Sequence, residues 1–461
     1  MADLSFSKLS ISKVMADNLM SLGYEKMTPV QNQSLPAILK GRDVMAQAKT
    51  GSGKTAAFGI GALSHIDLTV QRVQVAVLCP TRELADQVAK ELRRIGRQNH
   101  NLKILTLCGG VPMGPQIASL EHGAHCVVGT PGRLCDHLSR RTLDLRSANM
   151  LILDEADRML DMGFSESLDI IVSRIPKSRQ TLLFSATFPE DIQAMSNSIQ
   201  ENALRVVVEG GKANQDIEQK FYEVKRNQKP AALVSLLSHF EPESSVVFCN
   251  TKKDCDDVAY ELKQSGFAAA AIHGDLEQRD RDDVLALFSN KSLSVLVATD
   301  VAARGLDIKD LAFVCNFEPS RNPETHVHRV GRTGRAGKKG LAVTLYSPQE
   351  ERRVIEIEKI LERTYPRQSV PSVKPENVKT LAPEMRSLCI SGGKKNKLRP
   401  TDILGALTAE NALEGSDVGK IMIADFHSVV ALKADKYAKG FQVLSQNKMK
   451  GREFKIRPFS V

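Results

Sequence analysis

The sequence predicts an α/β protein with two parallel-sheet domains in tandem and a smaller α+β domain at the C-terminal end. Three observations lead there. Short apolar runs alternate with polar, helix-compatible stretches from about residue 44 to residue 346. Many of these runs are apolar at every position, the pattern of strands covered on both faces. Beyond a proline-punctuated connector at 365–383 the order becomes strand, helix, strand, strand, helix, strand. At 461 residues the chain is too long for a single core. The expected domains are 1–207, 217–366 and 382–461, with linkers at 208–216 and 367–381.

Composition narrows the functional classes. With 42% hydrophobic and 25% charged residues, and no apolar run of membrane-spanning length, a soluble protein with no membrane partner is expected. The start, Met1-Ala2-Asp3-Leu4-Ser5, lacks a basic region followed by an apolar core, so the expected location is the cytoplasm. Eight cysteines without a CxxC pair or a nearby His cluster suggest reduced thiols, not zinc or disulfides. A net charge of +9 suits a polyanionic partner. Residues 381–461 carry 14 Lys and Arg against 8 Asp and Glu, so +6 of that charge is concentrated at the C-terminal end.

In chain order, the first candidate is Gln31 in Thr28-Pro29-Val30-Gln31, preceded by Gly23-Tyr24. A planar amide offers a donor and an acceptor for an adenine edge, and Tyr24 could stack on the base. A helix start with Thr28 as cap and Pro29 in the first turn accounts for Thr-Pro equally well. Next comes Ala48-Lys49-Thr50-Gly51-Ser52-Gly53-Lys54-Thr55, between an apolar run and a helix-compatible Ala56-Ala57-Phe58. Its glycines let successive N–H groups face phosphate oxygens at a helix N-terminus, Lys54 would reach the β and γ phosphates, and Thr55 would ligate Mg²⁺. The usual pattern begins with Gly; here position 48 is Ala.

The run Leu151-Ile152-Leu153 then ends in Asp154-Glu155-Ala156-Asp157. As the first residue past a buried strand, Asp154 would stand where open α/β sheets bind ligands and could hold Mg²⁺ on a nucleotide, while Glu155 could polarise water. A solvated acidic loop fits the same residues taken alone. Thr81, Gly110, Thr130 and Gly132 follow apolar runs and occupy strand-to-helix turns, which expose N–H and hydroxyl donors to phosphates and riboses. Arg82 and Arg133 add charge there.

The ordered set of motifs resembles the DEAD-box family of ATP-dependent RNA helicases. It comprises Phe6 and Gln31, Ala48 to Thr55, Pro80-Thr81-Arg82-Glu83-Leu84-Ala85, Gly109-Gly110, Thr130-Pro131-Gly132-Arg133, Asp154-Glu155-Ala156-Asp157 and Ser185-Ala186-Thr187. Further along stand Val247-Phe248-Cys249-Asn250, Gln278 with Arg281, Ala298-Thr299-Asp300, Arg304-Gly305-Leu306-Asp307, and His328-Arg329-Val330-Gly331-Arg332-Thr333-Gly334-Arg335. The resemblance implies two RecA-like domains, an RNA-stimulated ATPase using ATP and Mg²⁺, and RNA contacts at Gln278, Arg281 and Thr299. It also implies that Asp307 binds the ATP ribose, that His328 couples the two sites, and that Asp157, Ser185 and Thr187 link the carboxylate end to RNA. Arg332 and Arg335, three apart, are candidate arginine fingers for the γ-phosphoryl. Helical spacing alone would also fit two surface arginines.

In the last 80 residues, expected strands at 385–390, 421–425, 428–433 and 453–457 and helices at 399–407 and 436–444 follow the RNA-recognition-motif order. The usual stacking aromatics are missing, since the first strand offers Leu388-Cys389-Ile390 and the third Val429-Val430-Ala431-Leu432. Basic loops at Lys394, Lys395, Lys397, Arg399, Lys448, Lys450 and Arg452 are the expected contact surface. Solvated lysines on a structural appendix are the bland alternative. With Ser391-Gly392-Gly393-Lys394-Lys395 and Gly405-Ala406-Leu407-Thr408, this end resembles the bacterial DbpA subgroup of the family. That likeness implies recognition of a 23S rRNA hairpin and action on pre-50S particles; a monomer is the expected state. A general RNA chaperone or mRNA-decay helicase, and a nonenzymatic RNA clamp, are the alternatives.

Overall fold

The computed structural model describes residues 5–48, 51–208, 217–303, 311–334, 340–371, 378–380 and 382–459. They form two compact units, one ending at residue 208 and the other starting at residue 217. Among the described residues no helix is long and apolar enough to cross a membrane.

The first unit is a seven-stranded sheet of β1 (Val44–Gln47), β2 (Val75–Leu78), β3 (Ile104–Leu107), β4 (Cys126–Gly129), β5 (Met150–Asp154), β6 (Gln180–Ser185) and β7 (Leu204–Val207). Every pairing is parallel, in the order β3-β4-β2-β5-β6-β1-β7. The unbroken apolar runs are explained by helices on both faces. One cluster joins Val44, Val75, Val77 and Ile152 to Phe58, Leu84, Val88 and Leu92; the other joins Leu151, Leu153 and Leu183 to Met159, Leu168 and Ile192. The helix Arg82–Ile95 shows the mechanism, since its buried Leu84, Ala85, Val88, Ala89, Leu92 and Ile95 recur at helical spacing. Asp154 is the last residue of β5, not the first beyond it. The strand therefore continues into the carboxylate cluster, and Asp154 has Phe184 as its partner in β6.

The second unit holds two sheets. β8 (Ile217–Glu223), β9 (Ser245–Cys249), β10 (Ala269–Ile272), β11 (Val295–Thr299), β12 (Phe313–Asn316), β13 (Gly340–Tyr346) and β14 (Arg367–Gln368) pair in parallel in the order β10-β11-β9-β12-β13-β8-β14. Arg367, which lies at the start of the expected connector, is fastened by ion pairs to Glu351 at 2.8 Å and Glu358 at 2.7 Å, so its short strand closes the sheet edge. The smaller sheet, β15 (Met385–Ile390), β16 (Val418–Ile423), β17 (Ser428–Lys433) and β18 (Ile456–Phe459), is antiparallel in the order β16-β17-β15-β18. Helices Pro400–Thr408 and Tyr437–Gln446 pack on one face through Ile403, Leu407 and Leu444 against Leu388, Ile390, Val430 and Leu432. The architecture is the expected one: two RecA-like parallel-sheet domains and a small α+β domain.

The other face of the small sheet is covered as well. Cys389, Val429 and Phe459 pack on Ala286 and Leu287 of the helix Gln278–Ser289, with Met422 and Leu293 at the margin. Polar contacts close the seam: the Met385 amide donates to the Lys291 carbonyl at 3.2 Å, Ser387 meets Ser292 at 2.9 Å, and Lys291 pairs with Glu384 at 2.6 Å. Strand side chains alternate between faces, so Leu388 and Ile390 serve the domain's own core while Ser387 and Cys389 serve this seam. The absence of exposed aromatics on these strands follows from that arrangement.

Candidate active site and nucleic-acid interface

At the nucleotide loop, Gly53 caps the helix Lys54–His65 at φ +95°, in the left-handed region. A Cβ there would meet Gln31 Nε2 at 2.6 Å. That amide donates to the Gly53 carbonyl at 3.1 Å, and Gln31 Oε1 accepts from the Thr28 N–H at 2.9 Å. Gln31 therefore braces the loop and caps its own helix, leaving one N–H and one lone pair for a base. Tyr24, the expected stacking residue, is tied to the helix Arg82–Ile95. Its hydroxyl meets Glu91 and accepts from Arg94 at 2.8 Å, and the Arg94 guanidinium lies over its ring at 5.3 Å. Burial and the Glu91 carboxylate push that hydroxyl up to about 12.

Ala48, fully buried, donates its N–H to the Ser185 carbonyl at 3.0 Å; Thr50 lies outside the described residues. Gly51 is also left-handed, at φ +84°, and Ser52 and Thr55 sit half-buried beside Lys54 in sequence. The Lys54 ammonium is buried and has no hydrogen-bond partner among the described residues. Asp154 is buried, and its Oδ1 accepts from the Glu155 N–H at 3.0 Å. Burial is the main cause that raises its carboxyl to about 7; Lys54 opposes the rise, and the Glu155 and Asp157 charges add to it. Glu155 is a non-glycine residue at φ +53°, with its carboxylate 3.4 Å from the Arg158 guanidinium. An unsatisfied buried ammonium beside a carboxylate driven toward protonation is an incomplete charge cluster. A polyphosphate with a divalent cation would complete both halves, so these side chains fit ATP and Mg²⁺.

Asp157 bonds to the end of β6. Its Oδ2 accepts from the Thr187 N–H at 3.1 Å and hydroxyl at 2.9 Å, and its own N–H reaches Ser185 Oγ at 3.4 Å. The expected coupling residues of the first unit are thus in direct contact.

On the turns, Thr81 Oγ1 accepts from Leu84 N–H at 3.3 Å, Gly110 is left-handed at φ +74°, and space is open where Gly132 would carry a Cβ. Thr130 caps the helix Pro131–Ser139. Arg82 approaches Asp86 at 3.9 Å. Arg133, expected to add charge here, donates from both terminal nitrogens to the Val111 carbonyl at 3.1 Å, bracing the Gly109-Gly110 turn, and lies 3.7 Å from Asp136.

In the second unit Arg332 is buried in the turn after the helix Pro323–Val330, on which His328 is half-buried; Arg335 and Asp307 lie outside the described residues. Gln278 and Arg281 occupy the first turn of their helix, with Gln278 donating to Asp282 at 2.9 Å, and Thr299 ends β11, buried. Arg329 was missed in the sequence. Fully buried, it joins Asp300 at 2.6 and 2.7 Å, Asn250 at 2.8 Å and the Glu318 carbonyl at 3.0 Å. One guanidinium ties three motifs together, and their common membership in the motif set was the only available signal. Next to it, His326 is held neutral, its ring pushed down to about 3 by burial and the Arg329 charge.

The basic loops of the small domain converge. Lys394 and Lys395 donate backbone N–H groups to the Ala424 and Asp425 carbonyls at 2.9 and 3.0 Å. Lys450 Nζ donates to the Lys397 carbonyl at 2.6 Å and pairs with Asp402 at 3.3 Å, and Lys448 approaches Glu453 at 3.7 Å. Lys395, Lys397, Arg399 and Arg452 carry charges with no ion-pair partner among the described residues.

Comparison with known proteins agrees with this geometry. The DEAD/DEAH box helicase family matches residues 28–195, the helicase conserved C-terminal domain matches 228–337, and the DbpA RNA binding domain matches 387–458. The ATP-dependent RNA helicase DbpA of Escherichia coli K12 is 52% identical over 454 residues, covering 98% of this chain and 99% of that protein. The chain belongs to the DbpA group of DEAD-box ATP-dependent RNA helicases. Its core is shared more widely. CshA of Bacillus subtilis, a DEAD-box ATP-dependent RNA helicase, is 42% identical over 371 residues, 80% of this chain and 75% of CshA. A structure of Saccharomyces cerevisiae Dbp5 bound to RNA and ADP BeF3 superposes with a TM-score of 0.72 at 29% identity, covering 80% of this chain and 96% of Dbp5. This DbpA-group helicase is accordingly an RNA-dependent ATPase.

Proposed function

We propose that this helicase separates short ribosomal RNA duplexes in the cytoplasm, brought to a 23S rRNA hairpin on pre-50S particles by its C-terminal domain, and that it does so as a monomer. The observation that carries the reading is the cluster of unpaired cations at one end of the domain that matches the DbpA RNA binding family. Cations there would neutralise RNA phosphates irrespective of sequence.

In this reading Gly51, Ser52, Gly53, Lys54 and Thr50 receive the triphosphate, Gln31 reports on the loop, and Asp307 holds the ribose. Asp154 and Thr55 would hold Mg²⁺, which when bound neutralises charge on the phosphates. Glu155 takes a proton from the attacking water, and Arg332 and Arg335 stabilise charge on the γ-phosphoryl group. Thr81, Arg82, Gly110, Thr130, Gly132, Gln278, Arg281 and Thr299 touch the RNA backbone. Arg133 acts on RNA through the turn it braces. Asp157, Ser185, Thr187 and His328 pass the state of one site to the other. The test is ATP hydrolysis by the full chain with 23S rRNA and with an unrelated RNA of equal length. Stronger stimulation by 23S rRNA is expected; equal stimulation would point to a general RNA chaperone.

A further inference from the structure

RNA-recognition domains stack bases on aromatic side chains of their sheet face. Here that face is occupied by Ala286 and Leu287 of the helix Gln278–Ser289, so a stacking group must lie elsewhere. Phe426, in the turn between β16 and β17, is 73% exposed, more than any other large apolar side chain among the described residues. The turn is anchored: the carbonyls of Ala424 and Asp425, just before it, accept the Lys394 and Lys395 N–H groups. One residue further on, His427 lies 3.9 Å from Asp283. The ring is thereby held next to the basic loop at 392–399. Of that loop's cations, Lys394 lies 3.8 Å from Asp425, while Lys395, Lys397 and Arg399 have no ion-pair partner among the described residues.

We propose that Phe426 is a base-stacking contact of the C-terminal domain. An unstacked base of single-stranded RNA lies on its ring, and Lys395, Lys397 and Arg399 hold the phosphates on either side. This rests on the reading that the domain binds RNA, and adds to it the residue and the mode. A protein or lipid partner would call for a contiguous apolar patch. The immediate sequence neighbours of Phe426 are Asp425 and His427, and the backbone contacts run to lysines, a setting suited to a π-face flanked by cations.

The experiment measures binding of labelled 23S rRNA to the full chain over a range of salt concentrations. The variants are Phe426→Ala, Phe426→Leu, Phe426→Trp and the triple Lys395→Ala/Lys397→Ala/Arg399→Ala. Stacking on an aromatic side chain predicts that Ala and Leu each weaken binding about tenfold with an unchanged salt slope, and that Trp binds like the parent. The triple variant should lower the salt slope by about 2. If it weakens binding while Phe426→Ala does not, the stacking inference is overturned and the domain's RNA role stands. If neither change matters, both the stacking contact and the phosphate contacts of Lys395, Lys397 and Arg399 are overturned. Phe426→Leu binding like the parent would also overturn stacking, because an apolar surface without a π-face would then suffice. Phe426 is exposed, so thermal unfolding of all three Phe426 variants should match the parent, which establishes that they are folded.

Discussion

Replacing Asp154 by Asn tests the charge cluster at the nucleotide site. The Asp154 carboxyl is raised from 3.8 to about 7, chiefly by burial. Between those values the folded chain binds a proton that the unfolded chain has lost. Stability from this group is therefore complete below about pH 4 and declines as pH rises to about 7. The full decline is on the order of 4 kcal/mol. Asn keeps the oxygen that accepts from the Glu155 N–H at 3.0 Å and carries no charge. The stability difference between Asp154→Asn and the parent, measured by urea unfolding without nucleotide, should be near zero at pH 4. It should then grow in the variant's favour up to pH 7 and level off. Its size at pH 8 is reduced by whatever the Lys54 ammonium loses with its carboxylate neighbour. Adding ATP and Mg²⁺ should stabilise the parent and leave the variant nearly unchanged. A difference that is flat in pH, or that grows as pH falls, would refute the reasoning.

Three further changes probe the remaining parts. Glu155→Gln should bind ATP and RNA as the parent does while RNA-stimulated hydrolysis falls below about 1% of the parent rate, because no group is left to take the water proton; retained turnover would exclude Glu155 as that group. In Gly393→Ala the new Cβ would lie 2.2 Å from the Ala424 carbonyl oxygen and 2.8 Å from that of Asp425, both backbone atoms with little room to yield. Overpacking of this kind costs about 1–3 kcal/mol, so in a domain of this size melting should fall by roughly 4 °C or more, together with RNA binding. Leu287→Asp places a carboxylate where the parent side chain is 2% exposed, opposite Cys389 and Val429. Undocking should make Cys389, 1% exposed in the parent, react with an alkylating reagent under native conditions, read by mass spectrometry of its peptide; unchanged protection would mean the seam tolerates the charge.

Much of the site was legible because its chemistry is local. A loop that cradles phosphate needs Gly-Ser-Gly-Lys-Thr in succession, and a buried strand ending in acids shows in composition alone, so Lys54, Asp154 and Glu155 stood out from the sequence. The alternation of fully apolar runs with helices fixed the parallel sheets for the same reason. Tertiary structure decided what depends on distant partners. The amide of Gln31 goes to a carbonyl 22 positions away, the Arg133 guanidinium to Val111, and the Arg329 guanidinium to Asn250 and Asp300. No spacing rule marks these pairings, because each is set by where strands place their ends across a sheet. The small domain makes the same point. Its sequence showed that stacking aromatics were missing from the strands, but only packing explains it: the face where bases would lie is already filled by Ala286 and Leu287.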